Sequence, residues 1–143
     1  MDRYRVLKKL NTNPVFDTYL ARPREWDEQG FEVVLQEPHD ENNAELVENW
    51  SARLYLSTQI SSPNLVQVFH LPDEEHSTPF AVIEYIWGEP LHEKSPHCNN
   101  GNRKLPALHV IQIVAELAEL VERFHKELNV SGIDLSPGNI ILG

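Results

Sequence analysis

The chain has 143 residues, of which 41% are hydrophobic and 24% are charged, as is typical of a globular protein with one domain or most of one. Its net charge of −10 argues against nucleic acid or an anionic membrane as a partner, because both attract positively charged surfaces. A single cysteine, Cys98, excludes an internal disulfide, and no apolar run marks a signal peptide or a membrane span, so we expect a cytoplasmic protein.

The first part of the chain alternates apolar and polar residues and predicts strands. Residues 4–10 and 15–22 alternate on either side of the turn sequence NTNP, which predicts a β-hairpin. A polar connector follows at 23–30. The apolar, β-branched segment 31–37 predicts a third strand.

After this strand, the spacing of the apolar residues changes from that of a strand to that of a helix. Residues 43–60 place apolar side chains near one helical face, and Asn43 is a candidate N-cap. Two further strands are predicted at 65–71 and 79–86, and most of 88–106 reads as loop.

The clearest helix is predicted over 107–128. Its apolar residues follow i, i+3, i+4 spacing: Ile111, Val114, Leu117, Ala118, Val121, Phe124 and Leu128. A short turn then leads to GIDLSPGNIIL at 132–142, which ends in an apolar strand.

Three segments resemble motifs of the protein kinase family. Residues 61–69, SSPNLVQVF, are similar to the His-Pro-Asn segment that follows the kinase C-helix, with Ser62 in the place of histidine. Residues 80–91, FAVIEYIWGEPL, resemble the fifth strand and the hinge, and residues 132–142 resemble the catalytic loop. The resemblance implies an α+β fold with a kinase-like N-lobe, in which an antiparallel sheet carries a C-helix. One long C-lobe helix and the catalytic loop would follow.

The same resemblance implies a division of the chain and a set of roles. Residues 1–91 would form the N-lobe and hinge, 92–106 a loop, and 107–143 a partial C-lobe. The remaining assignments fall on single positions: Asp134 as the proton acceptor, Asn139 as a Mg²⁺ ligand, Ile83 as gatekeeper, and Glu84 and Ile86 in the hinge that would meet ATP.

Other positions depart from the family's pattern. The glycine-loop positions hold Asn11, Asn13 and Phe16, although side chains there block close approach to the phosphates. Gln36 stands where the family has its phosphate-binding lysine, and Arg53 where it has the glutamate that pairs with that lysine. Lys8 or Lys9 on the first strand could reach the phosphates instead, although nothing in the sequence requires it.

The catalytic loop is altered as well. Gly132, Ile133 and Ser136 replace its histidine, arginine and lysine, and no Asp-Phe-Gly segment follows. The resemblance implies ATP and Mg²⁺ as cofactors, whereas these substitutions argue against their use. We therefore expect no kinase activity from this chain alone.

Three functions are consistent with these residues. The first is an inactive, pseudokinase-like module that acts by binding or regulation. The second is a remnant or split piece of a serine/threonine kinase that binds ATP and needs a second polypeptide. The third is part of a small-molecule phosphotransferase of the aminoglycoside or choline kinase type, which DLSPGN also resembles. The apolar stripe of the 107–128 helix predicts a protein partner or self-association.

Two further groups are weaker candidates for sites. His92, His97, Cys98 and His109 lack the spacing of a zinc site and fit polar loop residues better. Residues 72–76, PDEEH, fit a solvated turn better than a cation site.

Overall fold

The structure is a computed structural model that describes residues 3–39, 44–72, 80–94 and 105–143. It is a mixed α+β chain with a five-stranded antiparallel sheet and a long helix. The chain divides into two compact units. The first comprises Met1–Ser61 and Leu65–Tyr85, and the second comprises Ser62–Asn64 and Ile86–Gly143.

The sheet lies in the first unit and has the order β1-β2-β3-β5-β4. Its strands are β1 (Tyr4–Thr12), β2 (Phe16–Pro23), β3 (Val33–Pro38), β4 (Val68–His70) and β5 (Ala81–Glu84). All neighbouring strands run antiparallel. The predicted hairpin and third strand are confirmed, and the two later strands are shorter than predicted.

Apolar residues alternate along these strands, so each face of the sheet has its own core. One cluster is formed by Ala21, Val33, Leu35, Phe80 and Val82. The other is formed by Ala81 and Ile83 with Trp50 from helix α1 (Ala44–Ser57). Val47 and Leu54 pack against the second cluster, as the i, i+3, i+4 spacing around Trp50 requires. The predicted helix is confirmed, and its candidate cap, Asn43, lies outside the described residues.

Two segments that the sequence predicts as irregular contain regular structure. The polar connector at 23–30 holds a 3₁₀ helix, Arg24–Gln29, which ends at Gly30 in the left-handed conformation (φ 71°). The predicted loop at 88–106 is wrong over its first residues, which form β6 (Glu89–Pro90) and the 3₁₀ helix Leu91–Lys94. Strand β6 forms because it pairs with a distant segment, β7 (Ile141–Leu142), and local patterns carry no sign of that pairing.

The second unit contains the predicted long helix, α2 (Ala107–Leu128). It buries Leu120 and Phe124 and ends at Asn129, which adopts the left-handed conformation that commonly terminates helices. Its N-terminal half leaves large apolar side chains exposed: Leu108, Val110, Ile111 and Val114. Among the described helices, none combines the length and the hydropathy that a membrane crossing would require.

Candidate functional site

Asn11, Asn13 and Phe16, which the sequence resemblance assigns to a glycine loop, lie at and beside the turn between β1 and β2. Oδ1 of Asn13 accepts hydrogen bonds from the backbone N–H groups of Val15 (2.8 Å) and Phe16 (2.9 Å). The Asn13 N–H in turn donates to the Phe16 carbonyl oxygen (3.1 Å). A phosphate-binding loop offers such N–H groups to its ligand. Here three of them are engaged within the turn itself. Asn11 is exposed, and its Oδ1 accepts the N–H of Thr12 (2.8 Å).

Gln36, which the resemblance aligns with the phosphate-binding lysine, contacts helix α1. Its Oε1 accepts a hydrogen bond from Nε1 of Trp50 at 2.9 Å. The ring of Phe16 lies against the same indole, with 5.6 Å between centroids. The helix residue that meets Gln36 is therefore Trp50, whereas Arg53 is exposed. Sequence matching to the kinase pattern missed Trp50. The available signal was an indole N–H on the buried face of the helix, which needs an acceptor.

A polar cluster centred on Asp17 lies beside the β1–β2 turn, and no sequence pattern predicts it. The carboxylate pairs with Nζ of Lys9 (2.7 Å) and Nε2 of His39 (2.7 Å), and accepts hydrogen bonds from the hydroxyls of Thr12 (2.9 Å) and Tyr19 (3.1 Å). The Lys9 ammonium, followed by the His39 ring, holds the pKa of the Asp17 carboxyl well below its usual range. The hydrogen bond to Asp17 also raises the pKa of Lys9. The Lys9 ammonium is therefore already paired with the Asp17 carboxylate.

The residues that the resemblance assigns to the gatekeeper and hinge are held by contacts at the end of β5 and after it. Ile83, the gatekeeper expected from the resemblance, is buried in the cluster with Trp50. Glu84 ends β5; its N–H donates to the carbonyl oxygen of Gln67 (2.8 Å), and its Oε2 accepts the N–H of Gln67 (3.0 Å). This carboxylate therefore fastens β5 to the segment before β4. Ile86 belongs to the second unit and is half-buried there.

The loop after α2 brings Asp134 and Asn139 together. Oδ1 of Asp134 accepts the N–H of Ser136 (2.9 Å), and Nδ2 of Asn139 donates to the Asp134 carbonyl oxygen (3.3 Å). The N–H of Asn139 donates to the Ser136 carbonyl oxygen (2.9 Å), closing the 3₁₀ helix Pro137–Asn139. All three residues are exposed. Carboxylate and amide oxygens are ligands that Mg²⁺ accepts, so this pair has suitable chemistry for a metal-bound phosphate.

The two short strands of the second unit support that loop. The N–H of Leu91 donates to the carbonyl oxygen of Ile140 (2.7 Å), next to the β6–β7 pairing. Gly88 approaches β7 so closely that a Cβ there would overlap the carbonyl oxygen of Leu142. At Gly138, by contrast, a Cβ would lie 3.8 Å from Nδ1 of His92, an ordinary contact. The His92 ring therefore lies beside Gly138.

The weaker candidate sites gain no support as metal centres. No group of three or more potential metal ligands converges within the described ranges 3–39, 44–72, 80–94 and 105–143. His97, Cys98 and residues 73–76 lie outside those ranges.

Comparison with known proteins gives a distant likeness. No protein-family model matches the chain. The chain is 24% identical over 145 residues to the serine/threonine-protein kinase PksC of Streptomyces coelicolor, a match that covers 98% of this chain and 25% of that kinase. The chain thus spans about a quarter of the length of the kinase that it matches. The likeness supports a kinase-like chain and does not extend to an activity.

Proposed function

We propose that the chain is a degenerate, pseudokinase-like module that acts by binding or regulation and transfers no phosphate by itself. The observation that carries this proposal is the hydrogen bond from Trp50 to Gln36 at the position of the phosphate-binding lysine. In this proposal the first unit corresponds to a kinase N-lobe and the second to the start of a C-lobe. A cytoplasmic location is part of the proposal, since Cys98 has no second cysteine to pair with.

The first unit offers little positive charge to a phosphate. Phosphoryl transfer is catalysed mainly by positioning and by neutralising the charge on the phosphates. Gln36 is neutral, and its side-chain oxygen is occupied by the indole of Trp50. Lys9 is held by Asp17, so it supplies little free positive charge. The N–H groups of Val15 and Phe16 are already bonded to Asn13. The first unit therefore does not fit a bound triphosphate.

The test is transfer of labelled phosphate from ATP by the purified chain in the presence of Mg²⁺. We expect no label on the chain or on an added protein acceptor above the level given by the Asp134→Asn variant. The variant is a matched control because Asn retains the acceptor oxygen for the Ser136 N–H and lacks the carboxylate. Transfer by the wild type that disappears in Asp134→Asn would overturn the proposal.

A second candidate function is favoured by the hydrogen bond between Asn139 and the Asp134 carbonyl oxygen. That contact holds the two residues in one exposed loop, as a piece of a serine/threonine kinase completed by a second polypeptide would need. In that case, the chain would bind ATP more tightly with Mg²⁺ than without it. The Asn139→Ala variant would reduce that increase in affinity. ATP binding that is unaffected by Mg²⁺ and by Asn139→Ala would exclude this candidate.

The proposed protein contact lies on the N-terminal half of α2, where residues 107–115 carry no Asp, Glu, Lys or Arg. Ile111 is 65% exposed and Val114 is 59% exposed, and apolar patches of this kind mark interaction surfaces. A partner protein or a second copy of the chain would cover them. Sedimentation velocity tests the second copy directly: dimerisation that is lost in Ile111→Asp supports self-association, and a concentration-independent monomer excludes it.

A further inference from the structure

Three aromatic side chains form a continuous row on the surface of the first unit. The ring of Trp26 stands edge-on to Phe31, with 5.5 Å between centroids, and Phe31 lies 6.0 Å from Phe69. We name these three residues the aromatic row. They come from the 3₁₀ helix Arg24–Gln29, the segment before β3, and strand β4. The tertiary fold therefore assembles the row from distant parts of the sequence.

The aromatic row is exposed although its rings touch one another. Trp26 and Phe69 are each 47% exposed, and Phe31 is 40% exposed. Burying a large aromatic surface is favourable, so contiguous exposed rings are a common mark of a binding surface. Trp is also among the residues that contribute most to the affinity of protein interfaces.

A groove continues the row along the edge of the sheet. Phe69 lines a cavity of about 390 Å³ together with Thr58, Val68, His70, Leu71 and Pro72. Strand β4 stands last in the sheet and pairs with β5 alone among the described strands. The row and the groove together therefore offer an extended strip with room for several side chains of a peptide.

The charges beside the row favour a cationic ligand. Glu25 directly precedes Trp26, and Glu28 follows it by two residues in the same 3₁₀ helix. Neither glutamate forms an ion pair with any residue in the described part of the chain. Asp27 differs, since Arg5 holds it at 2.7 Å. The whole chain adds a net charge of −10, which attracts cations at longer range. A guanidinium or ammonium group also binds the face of an indole.

We propose that the aromatic row binds a peptide segment of a partner protein in which arginine or lysine stands beside apolar side chains. The apolar side chains pack on Phe31 and Phe69, and the cation lies over Trp26 near Glu25 and Glu28. The proposal names the chemistry of a partner for the binding function and uses none of the residues assigned to nucleotide or metal. It therefore stands or falls independently of phosphate transfer.

Fluorescence anisotropy with three labelled peptides of equal length tests the proposal on the full chain. One peptide alternates arginine and leucine, one glutamate and leucine, and one arginine and glycine. We expect saturable binding of the arginine–leucine peptide and at least about tenfold weaker binding of the other two. The Trp26→Ala and Phe69→Ala variants should each lose about tenfold in affinity. Tyr55→Ala, which removes an aromatic ring that is 55% exposed on α1, should bind as the wild type does.

The contribution of Glu25 and Glu28 is tested with separate variants. The proposal can then still be refuted if an aromatic variant fails to fold. Glu25→Lys with Glu28→Lys changes two exposed side chains and should weaken binding about tenfold at low salt, with a smaller effect at high salt. Equal affinity for the glutamate–leucine peptide, no saturable binding of the arginine–leucine peptide, or wild-type affinity in both Trp26→Ala and the double charge variant would each overturn the proposal.

Discussion

The indole N–H of Trp50 donates a hydrogen bond to Oε1 of Gln36 at 2.9 Å, and this contact joins helix α1 to strand β3. A protein kinase joins its third strand and its C-helix through a lysine–glutamate ion pair that also binds the phosphates. In this chain the connection is neutral and needs no nucleotide. The helix is therefore held to the sheet by side chains of the protein alone.

Replacing Trp50 with Phe tests the stabilising effect of this contact. The variant leaves the Gln36 oxygen without its donor in a partly buried place, and we expect a loss of about 1–3 kcal/mol in the free energy of unfolding. Urea denaturation measures the change. Trp87→Phe is the matched control, since Trp87 is 72% exposed, and it should stay within about 0.5 kcal/mol of the wild type. Equal losses in the two variants would show that the hydrogen bond has no special role.

Two asparagines at and beside the β1–β2 turn, Asn13 and Asn11, should differ in their contribution to the free energy of unfolding. Asn13→Ala removes the acceptor of two backbone N–H groups, and we expect it to lower the free energy of unfolding by about 1–2 kcal/mol. Asn11→Ala removes one exposed contact to the adjacent residue and should change stability by less than about 0.5 kcal/mol. The midpoints of chemical denaturation decide between these outcomes. An Asn11 variant as unstable as the Asn13 variant would contradict the role given to Asn13.

The Asp17 cluster predicts a dependence of stability on acid. The pKa of the Asp17 carboxyl is lower in the folded chain than in the unfolded chain, so the unfolded state binds more protons at acidic pH. The contribution is complete above the unfolded pKa of roughly 3.9 and is lost as the pH falls below that value. Asp17→Asn should therefore make stability less dependent on pH between about 2 and 4.

The pH profile of the melting temperature measures this effect. Lys9→Ala, which removes the first partner of Asp17, should weaken the pH dependence in part, whereas Lys8→Ala should leave it unchanged. A profile of Asp17→Asn that runs parallel to the wild-type profile would exclude the cluster as its source.

Two glycines of the second unit differ in the space around them. Gly88→Ala would force a methyl group against the carbonyl oxygen of Leu142, so β6 and β7 must separate. We expect a loss of about 1–3 kcal/mol and faster hydrogen exchange at Leu91, whose N–H is bonded to Ile140. Gly138→Ala meets nothing closer than 3.8 Å and serves as the control. Unchanged exchange at Leu91 in Gly88→Ala would contradict this close approach.

Elements defined by local periodicity could be predicted from the sequence. The apolar spacing of 107–128 gave the bounds of α2, and alternation gave the hairpin of β1 and β2. Strand β6 was missed because its two residues are extended only through pairing with β7, about 50 residues away along the chain. The 3₁₀ helix Arg24–Gln29 was missed because its polar residues carry no apolar period.

In the candidate site, too, contacts between residues close in sequence could be predicted, whereas contacts that depend on tertiary packing could not. Asp134 and Asn139 lie five residues apart, so their contact within one loop follows from local geometry. Alignment with the kinase pattern placed Arg53 at the position of the glutamate that pairs with the lysine. It therefore did not identify Trp50 as the residue that contacts Gln36. The identity of that residue depends on which helical face packs on the sheet, and that face centres on the largest apolar side chain, Trp50.

Isothermal titration of the purified chain with ATP, with and without Mg²⁺, tests the central claim most directly. We expect no binding at ATP concentrations up to about 1 mM, since Lys9 is paired with Asp17 and the N–H groups of Val15 and Phe16 are bonded to Asn13. The Gln36→Lys variant should bind no better, because the N–H groups of Val15 and Phe16 remain bonded to Asn13 and do not meet the phosphates. Mg²⁺-dependent binding by the wild type, with a dissociation constant well below 1 mM, would contradict the account.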